Sequence, residues 1–288
     1  MVYVYQDGIL TDCRKNKDYQ VNEADIKALT KFIDIYMSWS DLKAYYKLLG
    51  IDLFILNNNS TGFTKQLQNT KAKTIKVINH STLTDLTAFF SYVNAENMDL
   101  SDFDTSHVKI MNYMFSDCTN LKSLDLTNFN TENVSSMRGV FFNCCRLADL
   151  NISSFNTMNL KDMAAMFLDC RSLTEIDVSK FNTSLVTNMS EVFSNCRSLT
   201  KLDLSNFSTA NVTDFQDMFD HCTNLRYLNL SSFDLSRINI SNYKEPDSKR
   251  AYMFECCENL STLITKDKQI LDDYAEDQKL SEVWHSLF

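Results

Sequence analysis

Five cysteines stand 26 residues apart, at Cys118, Cys144, Cys170, Cys196 and Cys222. Phenylalanines keep the same step at Phe103, Phe129, Phe155, Phe181, Phe207 and Phe233, and a second aromatic series runs Phe89, Phe115, Phe141, Phe167, Phe193 and Phe219. Leu124, Leu150, Ile176, Leu202 and Leu228 are an aliphatic series in phase with both. A fixed period over so many positions leaves few folds open. Each unit is one supersecondary element that cannot bury its apolar side alone, so the units must stack.

Two local periods sit inside each unit. Leu124-Asp125-Leu126 alternates apolar and polar, which predicts a short strand. Met137, Val140 and Phe141 stand at i, i+3 and i+4, which predicts a short helix with one buried face, and Phe129-Asn130-Thr131 makes the corner between them. Leu121, Leu124, Leu126, Phe129, Val134, Met137 and Phe141 are expected to face inward, and the strands to form a parallel ladder about 4.8 Å apart. Truncating one of these leucines to alanine is expected to cost about 2–5 kcal/mol. The fold class that follows is an α/β solenoid, a leucine-rich-repeat-like right-handed stack with a parallel β ladder.

The register breaks once. Met253-Phe254 follows Met218-Phe219 by 35 residues, so nine extra residues enter the last unit. The polar stretch 241–250 carries the only proline and reads as a loop extruded from one coil. Insertions of this kind lengthen a coil at small cost and also mark candidate binding faces.

The ends do not repeat. Val2 to Leu10, with Asp7-Gly8 in the middle, reads as a hairpin with a two-residue turn. Helices are expected over 23–37, capped by Asn22, and 41–49, capped by Ser40 and stopped by Gly50. Strands are expected over 51–56 and 74–79, and 84–90 is a degenerate first unit. Residues 1–80 thus form a small α/β N-terminal cap, 81–265 the solenoid, and 266–288 a C-terminal helix. That helix either closes the last coil or carries Trp284 and Phe288 to a partner.

Composition narrows the functional classes. The net charge is −9, which argues against direct nucleic-acid binding and suits a partner with a basic surface. No run of about 18 apolar residues exists, so membrane insertion is not expected. The N-terminus lacks the basic start and apolar core of a signal peptide, which points to the cytoplasm; a cell-surface or secreted location requires a signal outside this sequence. Nine cysteines, an odd number, fit reduced thiols better than a disulfide framework. One cysteine per coil at a core position is a buried thiol ladder rather than a zinc knuckle, and no metal or cofactor is expected. Four glycines leave no phosphate loop, and neither a nucleophile elbow nor a His-Glu-x-x-His pair occurs, so an enzyme is not expected.

The run from Asp125 to Leu150 and its copies resemble the BspA-like leucine-rich-repeat family. The repeat there is a Leu-x-Leu strand, then Asn-Phe-Asp-Thr-Ser-Asn-Val, then Met-x-x-Met-Phe-x-x-Cys. Residues 98 to about 264 match, and the run from Leu202 to Val212 is nearly the consensus. The resemblance implies a solenoid that binds protein. It also implies kinship with bacterial or protist surface proteins of adhesive role, and it brings no catalytic residues.

Two columns on the strands are candidate binding positions. The polar strand position runs Asp99, Asp125, Asn151, Asp177, Asp203, Asn229. Unit charges one coil apart repel by roughly 0.9 kcal/mol in water. Two roles are open to this column. Its carboxylates accept hydrogen bonds from neighbouring groups such as Thr127, Ser153, Ser179 and Ser205, or they form an acidic stripe that meets Lys or Arg of a partner. The second column varies from coil to coil, as Ser123, Asp149, Glu175, Lys201, Tyr227. Positions fixed in every coil build the fold, whereas outward positions that change are free to recognise something. The candidate protein-binding set is therefore Asp125, Asn151, Glu175, Asp177, Lys201, Asp203, Tyr227 and Asn229. The expected function is a non-enzymatic interaction module. Narrower alternatives are an intracellular acidic inhibitor, of phage or pathogen type, that blocks a basic nucleic-acid-binding host protein, and a bacterial surface adhesin.

Overall fold

A computed structural model of the chain describes residues 3–6, 9–12, 43–44, 46–47, 49–56, 63–79, 82–236 and 252–287. The loop expected at 241–250 and the helix expected at 23–37 lie outside these residues, and of the one expected at 41–49 the residues 43, 44, 46 and 47 are helical.

Strands β1 (Tyr3–Gln6) and β2 (Ile9–Asp12) pair antiparallel, with Gln6 opposite Ile9, the register of a two-residue connection. Next come β3 (Ile51–Leu56), helix α1 (Phe63–Gln68) and β4 (Thr74–Asn79). β3 and β4 are parallel, so the chain between them must cross over; α1, not foreseen in the sequence, lies on that crossover and buries Leu67. β4 then pairs in parallel with β5 (Asn97–Asp99), the first strand of the repeat, so the cap extends the solenoid's own sheet. β6 (Ser123–Asp125) and β7 (Asp149–Asn151) complete a five-stranded sheet in the order β3-β4-β5-β6-β7. Strands β8 (Lys201–Asp203), β9 (Tyr227–Asn229) and β10 (Thr262–Ile264) form a separate three-stranded parallel sheet.

The repeat is a parallel β-solenoid, and its core is a set of ladders. Phe115, Phe141, Phe167 and Phe193 stack with ring centroids 5.5–5.7 Å apart and planes within 11°. The seven apolar residues expected inward in the Leu121–Phe141 unit are all buried. The cysteine ladder is also buried, and each thiol donates to a carbonyl of the preceding coil, as Cys170 Sγ does to Phe141 O at 3.2 Å. At the corner a threonine ties coil to coil through both functions of its hydroxyl. Thr157 Oγ1 donates to Asn182 O at 3.0 Å and accepts from Asn182 N at 2.7 Å, and Thr105, Thr131 and Thr183 repeat the arrangement.

Two expectations are corrected. The segment with helical spacing is not a helix. Met137, Gly139, Phe141 and Asn143 donate their N–H groups to the next coil, at Asp162, Ala164, Met166 and Leu168. The intervening Val140, Phe142 and Cys144 close tight turns three residues back, and Gly139 and Asn143 have φ of 58° and 55°. Rings on this wall repeat every 5.5–5.7 Å, too close for helices about 10 Å wide with their side chains, whereas chained turns fit. The first aromatic of the ladder is Phe90, not Phe89. Phe90 stacks on Phe115 at 5.3 Å and 7°, while Phe89 sits edge-on to Phe90. The opening coil is one residue shorter than the period, as the Asp85–Ile110 bridge also shows.

The late register shift holds. Phe254 stacks on Phe219 at 5.7 Å, and Cys257 Sγ donates to Phe219 O, leaving Cys256 outside the ladder. Helix α2 (Lys268–Leu287) then closes the open end. Ile270 is buried, Tyr274 packs edge-on to Phe254, and Asp277 Oδ2 accepts the Phe254 N–H at 2.9 Å. A further coil would otherwise take that amide. Trp284 and Phe288 lie outside the described side chains.

Candidate functional site: an acidic groove in the sheet

The polar strand column fulfils its structural role. Asp99, Asp125, Asn151, Asp177, Asp203 and Asn229 each accept the backbone N–H two residues on, at 2.9–3.3 Å. The donors after Asp125, Asn151, Asp177 and Asp203 are the N–H groups of Thr127, Ser153, Ser179 and Ser205. These side chains close the turn after each strand where glycine is scarce. Hydrogen bonds from Ser179 hold Asp177 below the usual carboxylate range, and those from Ser205 do the same for Asp203, so both are ionised at neutral pH.

The ladder is interrupted at one coil. Residues 175–177 stand at the strand position, yet among the described residues no backbone hydrogen bond joins them to β7 or β8. Leu126 N donates to Asn151 O and Leu204 N to Asn229 O, both at 2.9 Å; among the described residues the counterparts at Leu100, Ile152 and Val178 are absent. A groove of about 640 Å³ opens there. Its floor carries Leu150 and Ile176, half-buried where Leu124, Leu202 and Leu228 of the same column are buried. Its walls carry Asp149, Glu175, Asp177 and Asp203 against one ammonium, Lys201. Lys201 Nζ is held 5.1 Å from the centroid of the Tyr227 ring, a cation–π contact that turns it toward β9.

The opening is confined to the sheet. On the opposite wall Phe167 N donates to Val192 O at 2.9 Å, and at the corner Thr157 still bridges to Asn182. The location coincides with a charge pattern. Of the coils from β5 to β9, only this one has acid at both outward strand positions, Glu175 and Asp177. Asp149 lies one coil before Glu175 and Asp203 one coil after Asp177, and each like pair opposes the ladder by roughly 0.9 kcal/mol.

Of the residues singled out in the sequence, Glu175, Asp177, Lys201 and Asp203 line the groove. Asp125 and Asn151 pair with each other on the β6–β7 side, and Tyr227 and Asn229 lie on β9. Leu150 and Ile176 were expected in the core, and their partial exposure was not foreseen. The doubled acid at 175 and 177, read against its neighbours, is the sequence signal that marks the break. Among the described residues no three or more His, Cys, Asp or Glu are arranged to hold a metal ion, and no helix is long and apolar enough to cross a membrane.

A stack of parallel coils with an exposed, variable sheet face is a repeat solenoid, an architecture generally used for protein interaction. Matches at residues 58–176 and again at 140–266 show that the chain belongs to the family described as "Mycoplasma protein of unknown function, DUF285". Among curated proteins no sequence matches the chain.

Proposed function

We propose that the chain is a non-enzymatic interaction module whose sheet face binds a protein partner with a basic surface. The observation that supports this most is the groove at 175–177. It joins a half-exposed apolar floor to four carboxylates. Apolar area supplies affinity, and the charge on the walls selects the partner and speeds encounter. The repeats also support the finer affiliation with BspA-like leucine-rich-repeat proteins. Of the narrower roles, the acidic walls favour an inhibitor that covers a basic surface over an adhesin.

Affinity capture from cell lysate with mass spectrometry tests the reading, using the wild type beside Glu175→Lys/Asp177→Lys/Asp203→Lys. One dominant partner, held by the wild type and lost by the variant, is the expected result. A partner held equally by both removes the sheet face from the interface.

A further inference from the structure

We propose that the groove at residues 175–177 takes an extended, cationic peptide segment of the partner, laid along the interrupted ladder; this rests on the interaction-module reading above. Three observations converge on that occupant. The strand-position backbone of 175–177 makes no ladder hydrogen bond to β7 or β8 among the described residues, which leaves the groove open to an occupant. The floor at Leu150 and Ile176 offers apolar contact at the spacing of adjacent coils. Asp149, Glu175, Asp177 and Asp203 present four negative charges, and the one lysine among them is turned toward Tyr227. An extended segment alternates its side chains between two faces. Aliphatic residues on one face meet the floor, while Lys or Arg on the other reach the carboxylates along flexible stems. The occupant's positive charge complements the four carboxylates, which a neutral or acidic segment cannot do.

The test is fluorescence anisotropy on the full chain at 150 mM salt. The probes are dye-labelled decapeptides that alternate Val with Lys, Val with Ser or Val with Glu. The Val/Lys peptide is expected to bind saturably and at least tenfold more tightly than the other two. Glu175→Lys is expected to weaken it at least tenfold, and Glu132→Lys, an identical charge change at an exposed corner residue, less than twofold. Cooperative melting at or above the wild-type temperature confirms that both variants fold. Equal weakening by the two variants would mean diffuse attraction to an acidic surface and overturns the proposal. So does equal binding of the three peptides, or no binding of Val/Lys at millimolar concentration. If a captured protein is lost by the triple lysine variant but is not displaced by the Val/Lys peptide, the peptide proposal fails while the interaction module stands.

Discussion

Tyr113 occupies the space that a side chain at Gly139 would need. A Cβ added to Gly139 would clash with a Tyr113 ring carbon, and Gly139 has φ of 58°. The glycine therefore serves both a left-handed backbone and a close approach between adjacent coils. Tyr113 is fixed from the same coil as Gly139, since Arg138 Nε donates to its hydroxyl at 2.9 Å. Gly139→Ala is expected to destabilise the fold by about 1–3 kcal/mol. Urea unfolding of Gly139→Ala beside Gly139→Ala/Tyr113→Ser separates the two causes. Relief of part of the loss in the double variant assigns that part to the ring.

Lys76 joins the N-terminal cap to the first coils. Its buried Nζ lies 2.8 Å from both Asp99 Oδ2 and Asp102 Oδ2 and 2.9 Å from Ser101 Oγ. Lys76→Met is expected to cost about 1–3 kcal/mol, less than a fully buried pair because both carboxylates reach solvent. Burial raises the Asp99 carboxyl, but hydrogen bonds from Lys76 and Ser101 outweigh it, and Asp99 titrates below its ordinary value of 3.8. A carboxylate depressed in the folded state contributes stability above its unfolded pKa, and that contribution is lost as pH falls through the folded one. The loss caused by Lys76→Met is therefore expected at pH 7 and to shrink below about pH 4, which urea titrations at several pH values would show.

Asp217 behaves in the opposite sense. Burial, then the charges of Asp220 and Glu191, push it up to about 7. A carboxyl raised in the folded state contributes stability below its unfolded pKa, and the contribution is lost as pH rises through the folded one. Asp217→Asn keeps a residue tolerant of the left-handed φ of 53° and removes the charge. It is expected to stabilise the protein by about 1–2 kcal/mol at pH 8, with the gain growing from about pH 4 to pH 7. No gain at pH 8 in thermal melts contradicts the assignment.

The solenoid was legible because a repeated residue type at a fixed step admits stacking and little else. The wall from Met137 to Cys144 has helical spacing because chained tight turns bury the same i, i+3 and i+4 positions. The 26-residue step points to Phe89 rather than Phe90 because the opening coil is one residue shorter than the period. Asp277 shows the limit of patterning: it sits inward on α2, where periodicity asks for an apolar residue, because its carboxylate takes the last coil's Phe254 N–H. The groove was half legible. Glu175, Asp177, Lys201 and Asp203 stand out one coil at a time, but the exposure of Leu150 and Ile176 depends on how neighbouring coils meet, which no single repeat shows.

The thiol ladder is expected to be inert. Burial pushes the Cys118 thiol up to about 12, and Cys144, Cys170, Cys196, Cys222 and Cys257 are likewise raised by burial. Cys145 and Cys256 are half-exposed, although burial and then the charge of Glu255 push the Cys256 thiol up to about 11. Alkylation of the native protein followed by peptide mapping is expected to label those two at least tenfold faster than the ladder. Comparable labelling of Cys170 would contradict a closed core.

Asp277→Ala removes the acceptor for the Phe254 N–H and is expected to cost about 1–3 kcal/mol. Hydrogen exchange locates the effect. Faster exchange confined to 252–264 is expected, since a solenoid opens from its ends, whereas uniform loss of protection would place the role of α2 elsewhere.

Cross-linking tests most directly whether the sheet face is the binding face. A photo-reactive amino acid at position 176, irradiated in lysate, is expected to trap the protein captured by the wild type, and the same group at position 132 is expected not to. Trapping from 132 with none from 176 would contradict a binding site on the sheet.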